Sequence, residues 1–267
     1  MSFVPTTKQS TTDFYSQISW RDFSPVFDQN HLPICWAVVA ADTVVGLANA
    51  QGLSVEDHPN VPPLSVQQIL DNMPFYNANY LRHRREEAGY LGHVPGAYAY
   101  IKDFGLHTAT AYPYQRMTGY QATAEGHTHM LTNGFRNKYA ARALERVSIE
   151  SFSSYAANDY ETNVFVGSVV KQLKKQPLGA GIYVSSHFDR FKGNGIFEDI
   201  ADVPDTSKYG HAVVLTGFGH ESGGRERMFW EIKNSYGLEF GDGGYAKIPV
   251  EAIKYVWHPN EANIKKK

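Results

Sequence analysis

The sequence predicts an α+β protein, because helix-like apolar runs fill its first half and short strand-like segments with glycine-rich turns fill its second. From Cys35 to Gln51 apolar residues cover almost every helical face, and Gly52 ends the run. Such a helix is expected to be buried at the centre of a core. The 267 residues suffice for one large domain or two packed lobes.

The remaining elements of the first half are also helical in pattern. Residues 1–27 are expected to form an extended arm. Ser65 is a suitable N-cap for a short amphipathic helix that continues to Leu70, and a further helix is predicted from Pro95 to Phe104, before Gly105.

Beyond a polar stretch at about 115–138, the pattern changes to strands. A helix is predicted at 162–176, and strands are predicted at 179–184, 212–218, 228–233 and 243–248. Glycine-rich turns join these segments, and we expect them to form an antiparallel β lobe.

Composition excludes several classes of protein. The net charge of −2 and a pI near 6.6 provide no basic field for nucleic acid or anionic lipid. No apolar run is long enough to span a membrane, and we find no signal-peptide pattern. With no paired cysteines, we expect a cytosolic or nuclear location, and a vacuolar or secreted one if the chain is a processed form.

The lone cysteine, Cys35, stands at the start of the predicted central helix. Unpaired N–H groups and the positive end of the helix dipole favour a thiolate there, which is the nucleophilic form. The alternative is a buried structural thiol.

A nucleophilic thiol needs a base and a group that orients the base, and two residues of the second half suit these roles. His211 lies at the start of a predicted apolar strand, and Asn234 follows the strand ending at Lys233. The asparagine carbonyl can accept the imidazole N–H and select one tautomer.

Further motifs occur in a recognisable order. Gln29 stands six residues before Cys35, and Trp36 and Ala37 follow the cysteine. The other segments are 20–21, 25–29, 64–71, 98–105, 112–114, 176–178, 195–197, 210–213, 233–237 and 240–245. In these residues, from about Trp20 to Ile248, the chain resembles the papain-like cysteine peptidases.

The resemblance implies a papain-like two-lobe fold with an active-site cleft between the lobes. The helical lobe is expected at about 28–115, an antiparallel, barrel-like β lobe at about 1–27 and 116–250, and a C-terminal tail at 251–267. No cofactor and no metal are implied.

The resemblance also implies the roles of site residues. Cys35 is the expected nucleophile, His211 the base and later the acid, Asn234 the orienting group, and Gln29 an oxyanion donor together with the Cys35 N–H. The expected substrate-binding residues are Trp36, His93, Val94, Gly210 and Tyr236.

Several positions depart from the family pattern. Pro33 and Ile34 replace Gly-Ser before the nucleophile, which is expected to alter the wall of the primary subsite. Val94 is expected to crowd an extended peptide. Leu32 and Leu91 stand where the family has a disulfide, and Tyr236 replaces a tryptophan and adds a hydroxyl that needs a partner.

The leading functional prediction is a thiol hydrolase that cleaves peptide amide bonds, with a peptide or protein substrate and a protein inhibitor of thiol proteases as partners. One alternative is an acyltransferase or ligase that uses the same residues and a small-molecule acyl donor. The other is a non-catalytic binding protein. The pair His127 and His129 and the run Arg82–Arg85 are interpreted as surface features.

Overall fold

The computed structural model describes residues 18–30, 32–55, 58–76, 92–114, 145–199, 208–221 and 227–266. The chain divides into two compact units. The helical unit contains His31–Ser151 and Pro259–Lys267, and the sheet unit contains Ser2–Asn30 and Phe152–His258.

The described residues form four α-helices and seven β-strands. The helices are α1 (Cys35–Ala50), α2 (Val66–Tyr76), α3 (Val94–Phe104) and α4 (Thr162–Leu173). The strands are β1 (Ile18–Ser19), β2 (Glu145–Ala156), β3 (Leu178–Ser185), β4 (Lys208–Glu221), β5 (Arg227–Lys233), β6 (Tyr245–Pro249) and β7 (Tyr255–Lys266). No helix in the described ranges is long and apolar enough to cross a bilayer.

Helix α1 is the core of the helical unit, as its apolar sequence predicted, with every residue from Trp36 to Ala41 buried. Its few polar groups make specific bonds. The Thr43 hydroxyl lies 2.6 Å from the Tyr98 hydroxyl of α3, and the Asn49 amide exchanges hydrogen bonds of 2.7 and 3.1 Å with the backbone of Val61. These bonds attach α1 to its neighbours within the unit.

Helix α2 begins where the sequence predicted. The Ser65 hydroxyl accepts a hydrogen bond of 3.0 Å from the Gln68 N–H, which confirms the predicted N-cap. The Gln68 side chain donates to the Gly105 carbonyl at 3.0 Å and accepts from the His107 N–H at 2.8 Å. These contacts connect α2 to the end of α3.

The sheet unit contains the antiparallel strands β3 to β6. The described strands have the order β2-β7-β3-β4-β5-β6, with β1 paired to β4, and this order does not close into a barrel. In the register, His211 of β4 faces Ile182 of β3, and Lys233 at the end of β5 faces Val214. The chain therefore places Asn234 near His211.

The α+β class is confirmed, although the predicted barrel-like sheet is open within the described strands. Two boundaries of the predicted lobes change. The helical unit continues to Ser151 because Leu106 and Val147 exchange backbone hydrogen bonds of 2.8 Å, so the first part of β2 belongs with the helices. The prediction of a C-terminal tail is wrong, because residues 255–266 form β7 and Gly181 of β3 pairs with Tyr255.

Candidate active site

Cys35 is the first residue of α1 and is half-buried. Ile34 occupies the N-cap, makes no side-chain capping bond, and no acidic residue lies in the first turn. The thiol therefore lies at the positive end of a 16-residue helix without a nearby first-turn carboxylate. This environment favours the thiolate.

The residues around Cys35 are held from within the helical unit. Ile34 is 0% exposed and Trp36 is 2% exposed, and the Trp36 indole donates to the Pro33 carbonyl at 3.1 Å. The side chain of Ile34 is thus part of the core, and the expected effect of Pro33 and Ile34 on the primary subsite stays a prediction. Gly92 lies so close to the indole that a Cβ there would meet Trp36 ring atoms at 2.6 Å.

The next two predicted site residues open α3. His93 is the N-cap, and its Nδ1 accepts a hydrogen bond of 2.9 Å from the Gly96 N–H. Burial lowers the pKa of His93 below its ordinary value, which favours the neutral ring that accepts this bond. Val94 is 1% exposed. Its side chain packs inward, so the expectation that it crowds a bound peptide is wrong.

In the sheet unit, His211 and Asn234 form a buried pair. His211 Nε2 and Asn234 Oδ1 are 2.7 Å apart, and the two residues are 5% and 2% exposed. The same oxygen accepts the Ser235 N–H at 2.8 Å, while the Asn234 N–H donates to the Gly244 carbonyl at 2.9 Å. Asn234 Oδ1 can only accept hydrogen bonds, so the Nε2 atom that contacts it must carry a proton. The neutral imidazole of His211 therefore has its proton on Nε2 and none on Nδ1.

Gln29 lies in the same unit and is anchored by Ser235. The Gln29 N–H donates to the Ser235 carbonyl at 2.8 Å, and the Ser235 hydroxyl donates to Gln29 Oε1. Gln29 is 5% exposed. With its carbonyl oxygen bonded to Ser235, the side chain presents its amide N–H groups as donors, as an oxyanion role requires.

Aromatic rings surround the imidazole within the sheet unit. The Tyr236 ring centroid lies 4.9 Å from that of His211, and the Phe188 centroid lies 6.0 Å away. Phe240 packs against Phe188 at 4.9 Å. These aromatic rings exclude water from the His211–Asn234 contact. Gly210, the residue before His211, is exposed.

The structure therefore brings His211, Asn234, Gln29, Gly210 and Tyr236 together in the sheet unit, and it places Cys35, Trp36, His93 and Val94 in the helical unit. Sequence reasoning missed two contributors. Ser235 was visible beside Asn234 but was given no role, and nothing in the sequence around Phe188 indicated that it packs on the imidazole.

One cavity of the sheet unit lies apart from the candidate site. A cavity of about 300 Å³ in the sheet unit is lined by residues including Tyr155, Phe165, Lys171 and His258, and by none of the predicted site residues. Within the described ranges, no group of three or more His, Cys, Asp or Glu side chains is arranged to hold a metal ion. His127, His129, Arg82–Arg85 and Leu91 lie outside those ranges.

Comparison with known proteins adds independent information. The family described as "Papain family cysteine protease" matches residues 14–266. Ananain of Ananas comosus is 27% identical over 236 residues, covering 86% of this chain and 54% of ananain. Cathepsin J of Rattus norvegicus is also 27% identical, covering 86% of this chain and 58% of that protein. The chain thus spans little more than half the length of these curated relatives.

Solved structures show the same architecture. The bromelain protease from Ananas comosus, in complex with the E64 inhibitor, has a TM-score of 0.61 and 23% identity, covering 91% of this chain and 98% of that one. Digestive procathepsin L 3 from Tenebrio molitor larval midgut has a TM-score of 0.62 and 18% identity, covering 97% and 74%. Because both sequence identities are below 25%, these two structures show only which fold this chain shares with them.

Proposed function

Because the chain belongs to the papain family of cysteine proteases, we propose that it is a cysteine-type peptidase that cleaves peptide amide bonds through a thioester on Cys35. The observation that carries the proposal is the buried 2.7 Å contact between His211 Nε2 and Asn234 Oδ1. It provides an oriented base, which is what a thiol nucleophile requires.

Cys35 is the proposed nucleophile. The N-terminus of α1 stabilises negative charge on its sulfur, and half-burial leaves part of the residue accessible. In the first step the thiol proton passes to His211, and the sulfur forms a bond to the carbonyl carbon of the substrate.

His211 is the proposed carrier of that proton. Since Nε2 is bonded to Asn234, proton transfer falls to Nδ1. When the tetrahedral intermediate collapses, the C–N bond breaks and His211 returns the proton to the departing amine. A water molecule then loses a proton to His211 as it attacks the thioester, the C–S bond breaks, and the acid product leaves.

Gln29 is the proposed donor to the negatively charged oxygen of each tetrahedral intermediate. Its anchoring by Ser235 fixes the amide before substrate arrives, and a preorganised donor stabilises charge that develops only in the transition state. The Cys35 backbone N–H is the proposed second donor. His93, Gly210 and Tyr236 remain proposed substrate-binding positions, whereas Trp36, at 2% exposed, is about as buried as Val94.

The proposed partners are peptide or protein substrates and a protein inhibitor of thiol proteases. The bromelain protease structure contains E64, so an epoxide of this type is also a suitable probe of Cys35. The relatives named above are proteases, and they do not favour the acyltransferase, ligase or non-catalytic alternatives. They do not support the expected cytosolic or nuclear location, and a vacuolar or secreted location is proposed in its place.

Hydrolysis of a fluorogenic peptide library tests the function. Wild type is expected to release product, Cys35→Ala to release none, and His211→Ala to be slowed by about 10³-fold or more. Tyr245→Phe is a suitable control because it removes a hydroxyl that accepts the Asp22 N–H at 3.0 Å. A folded wild type without activity on any peptide, at any pH from 4 to 9, would refute the proposal.

A further inference from the structure

The hydroxyl of Tyr236 lies at the imidazole nitrogen that does not contact Asn234. Tyr236 Oη is 3.5 Å from His211 Nδ1, and the two rings lie 32° from parallel with centroids 4.9 Å apart. Tyr236 is one of the positions at which the sequence departs from the pattern of the family it resembles. Its hydroxyl therefore adds a polar group beside the proposed proton-transfer atom.

The tyrosine is held in place from several directions. Asp28 and Tyr236 form an isolated antiparallel β-bridge. The Phe188 and Phe240 rings lie in T-shaped contact with the Tyr236 ring, with centroid separations of 6.3 Å and 5.7 Å. A ring confined in this way keeps its hydroxyl near Nδ1 with little rotational freedom.

A hydroxyl suits both protonation states of this nitrogen. In the neutral ring, with its proton on Nε2, Nδ1 is an acceptor and the tyrosine O–H can donate. In the imidazolium, Nδ1 carries a proton and the tyrosine oxygen can accept. The indole N–H of a tryptophan provides the donor function alone.

We propose that Tyr236 is a positioning residue whose hydroxyl holds His211 Nδ1 in both protonation states of the reaction. The inference rests on the proposed peptidase function, since it concerns the base of that reaction. Between proton transfers the hydroxyl keeps the imidazole in one orientation. It contributes more to the imidazolium, because a hydrogen bond from a charged donor is the stronger one.

The consequences are measurable. Tyr236→Phe keeps the ring and removes the oxygen, so we expect kcat to fall about 3- to 10-fold with KM nearly unchanged. In Tyr236→Phe the imidazolium form of His211 loses a hydrogen-bond acceptor and is therefore less stable. We expect the decline of kcat/KM at high pH to occur about half a pH unit lower than in wild type. Asp189 and Arg190, the charged residues of the turn that carries Phe188, are unchanged in the variant.

The experiment compares wild type, Tyr236→Phe, Tyr236→Trp and the control Tyr245→Phe. Thermal unfolding establishes that each is folded, peptide hydrolysis supplies kcat, KM and the pH profile, and ¹⁵N NMR follows both nitrogens of the His211 ring. We expect both Tyr236 variants to show the lowered limb and an altered Nδ1 titration, with Nε2 little changed. Tyr245→Phe is expected to retain the wild-type profile.

Different results would contradict the peptidase function and the role of Tyr236. If wild type neither hydrolyses peptides nor alkylates at Cys35, the proposed function is wrong, and the NMR titration still decides whether Tyr236 interacts with Nδ1. If wild type is active while Tyr236→Phe retains its kcat, pH profile and Nδ1 titration, the inference about Tyr236 is overturned.

Discussion

Asn234→Ala is the perturbation whose effect the structure specifies most fully. The change removes Oδ1, which accepts the His211 Nε2–H at 2.7 Å and the Ser235 N–H at 2.8 Å. His211 is 5% exposed and Ser235 is 3% exposed, so water has little access to either donor. An unsatisfied buried donor costs about 1–3 kcal/mol, which gives about 2–6 kcal/mol for the two.

Removal of the Asn234 amide nitrogen has the opposite effect on the free energy of unfolding. Asn234 Nδ2 is buried and has no hydrogen-bond partner among the described residues, so its removal recovers about 1–3 kcal/mol. The expected net loss in the free energy of unfolding is therefore about 1–3 kcal/mol. Loss of the imidazole's orientation is expected to lower kcat by about 10- to 100-fold, beyond any effect of stability.

Asn49→Ala is a matched control in the helical unit. That asparagine is also buried and makes two side-chain bonds, to the N–H and carbonyl of Val61. We expect a similar loss of stability, measured by urea unfolding, but a kcat near that of wild type at temperatures where the variant is folded. If Asn234→Ala and Asn49→Ala lower kcat equally, the assigned role of Asn234 in orienting the base is wrong.

Three further predictions concern the helical unit. Gly92→Ala places a methyl group against the Trp36 ring, and we expect about 1–3 kcal/mol of lost stability by urea unfolding and weaker peptide hydrolysis. Thr43→Val removes the hydroxyl that contacts Tyr98, and calorimetry is expected to show a loss of about 1–3 kcal/mol. Burial raises the pKa of Asp71, so the folded state binds its proton more tightly and this group lowers stability as the pH rises. We expect the stability of Asp71→Asn minus that of wild type to increase as the pH rises above the ordinary Asp range of about 4, measured by urea unfolding at each pH.

Each of these three predictions has a contradicting result. Gly92→Ala with unchanged stability would show that the Trp36 ring moves without cost. A fully stable Thr43→Val would show that its hydroxyl is dispensable to the core. A stability difference between wild type and Asp71→Asn that does not change with pH would contradict the assigned effect of burial.

The elements that the sequence predicts well are those whose pattern is local. The apolar run of α1 shows its burial directly, and Ser65 marks the start of α2 by the chemistry of its side chain. The core strands β3 to β6 are rich in apolar residues between glycine-rich turns. Their antiparallel pairing then places Asn234 beside His211, so half of the candidate site follows from strand order.

Other features depend on partners that are distant in sequence. β7 contains Pro259, charged residues and lysines, and it becomes a strand because it lies between β2 and β3 in the sheet, with β3 pairing to its first residues. The inward direction of Ile34 and Val94 depends on three-dimensional packing, which a comparison of residue types does not reveal. The partner of the Tyr236 hydroxyl was likewise identifiable only from the positions of the two rings.

Alkylation of Cys35 by the epoxide E-64, followed by mass spectrometry as a function of pH, shows whether Cys35 is an activated nucleophile. An ordinary thiol has a pKa of about 8.5 and reacts slowly at pH 6. We predict rapid labelling of wild type at pH 6 and below, and loss of that acid-side reactivity in His211→Ala. If folded wild type reacts only as an unperturbed thiol does, with its midpoint near pH 8.5 and no effect of His211→Ala, Cys35 is not an activated nucleophile.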